Sequence, residues 1–218
     1  MVAIEHEASR LAHDFWNPRS RTLGFAAGVA LAVAIAWTGF LANGGDFGAA
    51  RAATTLVMLT SSFVFILFYV SQPLARLIRS DVTKTLRQER FALAYGFGGM
   101  MAVFVTCALT PDYMSGARIP LPTMAFAGLT ALVCAVFLFS AGSRRADRSV
   151  TLRSLRSISS GYFWLMFAFS NLDHMVGPHR PDNNPYGLSL LLLVVALLIC
   201  FADAFMTRIR AGMPERPV

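Results

Sequence analysis

The chain has 218 residues, 56% of them hydrophobic and 14% charged, with a mean hydropathy of +0.55 and a net charge of +7. A water-soluble globule carries about a quarter charged residues, so this composition excludes that class. The surplus of Lys and Arg would suit a nucleic-acid surface, but its distribution assigns it to membrane topology instead.

Residues 2–15 place Ile4, Ala8, Leu11 and Phe15 at helical spacing with charges opposite. That pattern predicts a short amphipathic helix on the membrane surface, ended by Asn17-Pro18. His6 and His13 share roughly one of its faces, which reads as solvated. Six apolar runs follow, at about 23–42, 52–71, 91–110, 122–141, 159–176 and 186–206. Roughly 20 apolar residues cross a bilayer core as a helix. The expected fold class is therefore an all-α, integral-membrane six-helix bundle. The first run is too long for a secretory leader, and Glu5, Glu7 and Asp14 precede it, so it reads as a retained span. Ten-residue alternating segments, the mark of an outer-membrane barrel, do not occur.

Arg51, Arg118 and Arg180 are alone on one set of connections, and the other sixteen of the 19 Lys and Arg lie on the opposite set. The positive-inside rule then puts both termini in the cytoplasm of a bacterial inner membrane. The organisation expected is a cytoplasmic amphipathic segment at 1–22, a six-helix transmembrane domain at 23–206 and a cytoplasmic tail at 207–218. Within the basic connection 71–90, Leu74, Leu77 and Ile78 are expected to dip into the interface while arginines reach anionic lipid headgroups. Ser80 or Asp81 would cap a helix there. The basic connection 140–160 has the same character. Besides the lipid bilayer, a membrane or cytoplasmic protein partner is expected to use these surfaces; nucleic acid is not.

The first four runs hold no Asp, Glu, Lys, Arg or His between their ends, which weighs against a proton relay or a charged-substrate transporter. Asp203, near the inner end of the sixth run, has Arg208 and Arg210 as candidate neutralising partners. Ala94, Gly98 and Ala102, four apart beside Gly96 and Gly99, predict close helix packing in the third run. Thr54, Thr55, Thr60, Ser61 and Ser62 could line a cavity or bond their own helix. The aromatic residues around Tyr162–Phe169 read as packing. Cys107, Cys134 and Cys200 share no metal or redox spacing, and no nucleotide-binding glycine motif occurs.

The fifth run ends in "NLDHMVGPHRPDNN", which places Asp173, His174, His179 and Asp182 on the outer side. These are metal-ligand types, and four of them converging would suit zinc or a similar ion. Their spacing matches no established signature. A wet helix end, with His174 at the negative pole of the helix dipole, is the reading preferred over a metal site or a partner contact.

Two stretches resemble the ferric-reductase-like transmembrane domain, the six-helix b-haem module of ferric reductases, NADPH oxidases and a bacterial periplasmic methionine-sulfoxide repair system. They are "SQPLARLIRSDVTKTLRQERFALAYGFGGMMAVF" (71–104) and "LVCAVFLFSAGSRRADRSVTLRSLRSISSGYFWLMFAFSNLDHM" (132–175). The resemblance implies haem-ligand positions near Gly98 or Gly99, Ile158 and Asn171, with His174 three residues further on. None of the first three is histidine, and bis-imidazole ligation needs two. The chain is thus expected to be a haem-less member, with no cofactor. It would act as a membrane-embedded partner or a lipid- or quinone-binding scaffold. The alternative is a transmembrane oxidoreductase that passes electrons outward, with one b-type haem near His174; Asn171, His174 and Gly98 are then the candidate cofactor contacts. A small transporter is a third reading.

Overall fold

The computed structural model describes residues 18–78, 80–114, 116, 118–142, 149–176 and 185–212. The segment expected as an N-terminal amphipathic helix, with His6 and His13, lies outside them. All elements among the described residues are α-helices: α1 (Pro18–Ala42), α2 (Phe47–Leu77), α3 (Asp81–Gln88), α4 (Arg90–Met114), α5 (Leu121–Gly142), α6 (Val150–Val176) and α7 (Pro185–Gly212).

Local chemistry sets the helix ends. Pro18 opens α1, where its missing N–H is no loss. At the other end, Gly44 N–H donates to the Leu41 carbonyl and Gly45 N–H to that of Phe40. Gly44 sits at φ +89°, the left-handed turn that a glycine closes without a Cβ clash. Asp46 caps α2 by accepting from Ala49 N–H at 2.8 Å. Ser80 caps α3 through a reciprocal box with Thr83, in keeping with the sequence expectation, and Asp81 takes the first helical position.

Five helices contain stretches long and apolar enough to cross a membrane: Arg21–Ala42, Gly48–Leu77, Arg90–Tyr113, Leu121–Ala141 and Pro185–Ile209. The remaining expected run does not match them in composition, which corrects the equal standing given to all six. Its helix, α6, has 27 residues, about 40 Å at 1.5 Å each, so length is not what it lacks. Polar residues occupy its inward face: Ser159, Ser160 and Asn171 are buried alongside Phe163 and Phe167. Its outward face is apolar, with Ile158, Leu165, Phe169, Leu172 and Val176 all exposed.

Helices α2, α4, α5, α6 and α7 follow one another round a ring in which α7 returns to α2, and α1 lies outside across α4 and α2. Phe65, Phe97, Phe137, Phe163 and Phe167 fill the middle, each 0% exposed. Phe97 stands edge-on to Phe163 at 4.9 Å and to Phe137 at 5.6 Å between ring centroids, the geometry that the ring quadrupoles favour. Large apolar side chains also face outward, among them Leu23, Trp37, Leu132, Phe139, Leu198 and Phe201. Greasy on both sides, this is a bundle suited to lipid rather than water.

Glycine lets α1 reach α4. A methyl at Gly28 would overlap the Gly96 backbone, and one at Gly24 would meet the Ala92 carbonyl at 2.8 Å. Gly99 likewise faces the backbone of Phe25 and Val29. Bare backbones therefore touch, as small-residue ridges allow between membrane helices. Gly28→Val is expected to lower the thermal midpoint of the detergent-solubilised protein, at a cost of about 1–3 kcal/mol for the overlap. Gly128 and Gly161 face open space. Gly128→Ala and Gly161→Ala should leave the same midpoint unchanged or raise it, through a helix preference of about 0.5–1 kcal/mol.

Candidate functional site

At the end of the bundle reached by α6, Asp173 and His174 part company. His174 Nδ1 lies 2.8 Å from the Ser170 carbonyl. A carbonyl can only accept, so Nδ1 carries the proton and a neutral ring keeps its lone pair on Nε2. The ring stacks on Tyr186 at 4.7 Å. It borders a cleft of about 470 Å³ with Arg51, Thr54, Thr55, Asp112 and Thr123. Asp173 is exposed and lines a different, largely apolar cleft with Phe126, Met166 and Phe169. Successive helical residues diverge by about 100°, so neighbours in sequence do not share a site. His179 and Asp182 lie outside the described residues. Among the described residues, no group of three His, Cys, Asp or Glu is placed to hold a metal.

The positions implied by the haem resemblance are elsewhere engaged. Gly98 packs on α5, where a Cβ would meet Leu138 Cδ1 at 2.7 Å. Ile158 is 70% exposed, on the outer face of its helix. Asn171 is fully buried, and its Nδ2 donates to the Phe167 carbonyl at 2.7 Å, which fixes the amide's orientation. Its Oδ1 then accepts nothing, an orphan acceptor costing about 1–3 kcal/mol. None of these positions offers an imidazole, and five phenylalanines fill the buried core, so the residues present do not fit a haem there.

The hydroxyls of α2 turn to their own helix. Thr55, Thr60, Ser61 and Ser62 donate to carbonyls three or four residues back. Thr54 does so as well and also reaches the Cys107 carbonyl at 3.1 Å. Ser62 pairs with Ser189 of α7 at 2.9 Å. These groups are satisfied in place by helix carbonyls and by one another, so their hydroxyls are engaged in packing.

The basic end holds what sequence reasoning overlooked. Asp203 pairs with Arg76 of α2 at 3.1 Å, where the sequence points to Arg208 or Arg210 of its own helix; the side chain of Arg210 lies outside those described. Arg90 donates to Gln72 Oε1 at 2.8 Å while its guanidinium carbon lies 4.9 Å from the Phe68 ring centroid. Beside it, Arg153 and Arg156 border a cleft of about 250 Å³ that Gln72, Ser157 and Ser160 also line. The one sequence signal was the three-residue spacing of Arg153 and Arg156, which puts both on one helix face.

A larger groove of about 530 Å³ runs along α1, α2 and α4 beyond the glycine crossing, walled by Phe25, Val29, Val33, Trp37, Ala53 and Ala102 among others. Its two α4 threonines, Thr106 and Thr110, donate to carbonyls of their own helix.

No protein-family model matches the chain, and neither does any curated protein or solved structure.

The ion pair gives a direct test. Arg76→Gln leaves the Asp203 carboxylate, 13% exposed, without its counter-charge. Arg76 is itself half-exposed, so solvent screens the pair and the expected cost is about 1 kcal/mol. Asp203→Asn should cost less, and the double variant should recover most of the loss, read as a double-mutant cycle on thermal midpoints.

Proposed function

We propose that this chain is a multi-pass membrane scaffold that holds lipid between its helices. In this reading it has six crossings, with both termini and the basic connections on the cytoplasmic face of a bacterial inner membrane. The sixth crossing is α6, and its support is the distribution described above: Ser159, Ser160 and Asn171 lie inward beside two phenylalanines, and Ile158, Leu165, Phe169, Leu172 and Val176 face outward. In lipid, a helix is free to keep its polar residues inside, because nothing polar waits outside to attract them.

The observation that carries the lipid reading is the groove on α1, α2 and α4. Its walls are apolar almost throughout, and its threonine hydroxyls are already bonded to their own backbone. A quinone head needs donors aimed at its carbonyls; a fatty acyl chain needs only apolar walls. The groove therefore favours an acyl chain over a quinone. The ferric-reductase-like plan, six long helices with basic second-to-third and fourth-to-fifth connections, is proposed here in its haem-less form. Five phenylalanines at the centre support that form and weigh against an electron-carrying haem near the same level.

Two measurements on the protein purified in mild detergent check the reading. Quantitative lipid analysis should find phospholipid retained at about one or more molecules per chain, and Ala102→Phe, which fills the groove from an exposed position, should lower that ratio. An unchanged ratio would remove the groove as the lipid site. The visible spectrum should lack a stoichiometric b-type haem band; its presence would contradict the haem-less form.

A further inference from the structure

The cleft at the basic end carries a more specific assignment, which rests on the membrane reading above. We propose that Arg90, Arg153 and Arg156 form a binding site for the phosphate of an anionic phospholipid headgroup. Three guanidiniums from two helices border one small cleft, and their shared positive charge attracts an anion to it. Guanidinium is the side chain suited to this, since its fork of N–H donors matches phosphate oxygens in pairs. Arg90 is held ready at the cleft, because Gln72 accepts from one of its nitrogens and Phe68 lies under its plane. Ser160, 7% exposed, and Ser157 bring hydroxyls to the same cleft. The nearby acid, Asp203, is engaged by Arg76 and does not line it.

Depth and size choose the ligand. Arg90 begins one candidate span, and Leu77 ends another just past Gln72 and Pro73, so the cleft lies where apolar stretches meet the basic connections. That is headgroup level. At about 250 Å³, the cleft falls below the roughly 300–1,000 Å³ typical of pockets for whole organic ligands. A headgroup whose acyl chains remain in the bilayer fits this space.

Lipid binding to the full chain in detergent micelles tests the site, with fluorescent phosphatidylglycerol, fluorescent phosphatidylcholine and inorganic phosphate as probes. Arg153→Gln with Arg156→Gln removes two cleft charges. Lys84→Gln with Arg87→Gln removes two exposed charges of α3 at the same end. Wild type should prefer phosphatidylglycerol to phosphatidylcholine by about fivefold per guanidinium engaged. The cleft double variant should lose most of that preference, and the α3 double variant should keep it. Millimolar phosphate should not displace the lipid.

Equal losses in both double variants would overturn the site in favour of diffuse charge. Displacement by free phosphate would overturn the lipid assignment. Phosphatidylcholine bound without any preference for phosphatidylglycerol would overturn the cleft and leave the groove standing; a chain that retains neither lipid overturns both. Should the cleft double variant not fold, Arg156→Lys decides. It keeps the charge but loses the fork, so the preference should fall, and an unchanged preference overturns the geometry.

Discussion

A hydrocarbon surround offers no partner for a polar group, so every hydroxyl, amide and peptide dipole at mid-depth must be satisfied inside the protein. Most of the fold answers to that constraint, with Asn171 Oδ1 as an exception. Backbone groups close their bonds within helices. The serines and threonines of α2 fold back on their own turns, and Ser62 meets Ser189 across to α7. Thr130 and Tyr162 pair between α5 and α6 at 2.8 Å. Helix α6 follows the rule along its middle, where Ser159, Ser160 and Asn171 are buried beside Phe163 and Phe167 while Ile158, Leu165, Phe169 and Leu172 face outward.

What the helices enclose follows from two kinds of side chain. At the centre, phenylalanines from four helices interlock at edge-on and tilted angles. At the rim, glycine removes the side chains between α1 and α4, so that α1 joins the ring from outside. A tight crossing at one level leaves a gap at another, and that gap is the apolar groove. The features open to a ligand are thus peripheral: a groove for a chain, and charged clefts where the helices end.

Much of the helical architecture was legible in the order of residues, since apolar runs and capping residues are local signals. Ser80 announced α3, and the small residues of α4 announced close packing, although it took the fold to show that Gly96 and Gly99 face α1 whereas Gly98 faces α5. The sites were less legible because they are assembled across distance. Asp203 finds its partner 127 positions away, where neighbours on its own helix had been expected. Arg90 joins Arg153 and Arg156 only because α4 and α6 begin together at the basic end. Asp173 and His174 show the converse, adjacent in the chain yet turned to different clefts. The run at 159–176 reads as equal to the other five, because an apolar sum along the chain does not record which face each residue takes.

The central claim is that α6 crosses the membrane, making six passages of alternating direction. Paired topology reporters inserted in the connections at 143–148 and 177–184 test it most directly. Six passages place the first insertion on the cytoplasmic side and the second on the outer side, with the chain's C-terminus cytoplasmic again. If both insertions report the same side, α6 does not cross and the account fails.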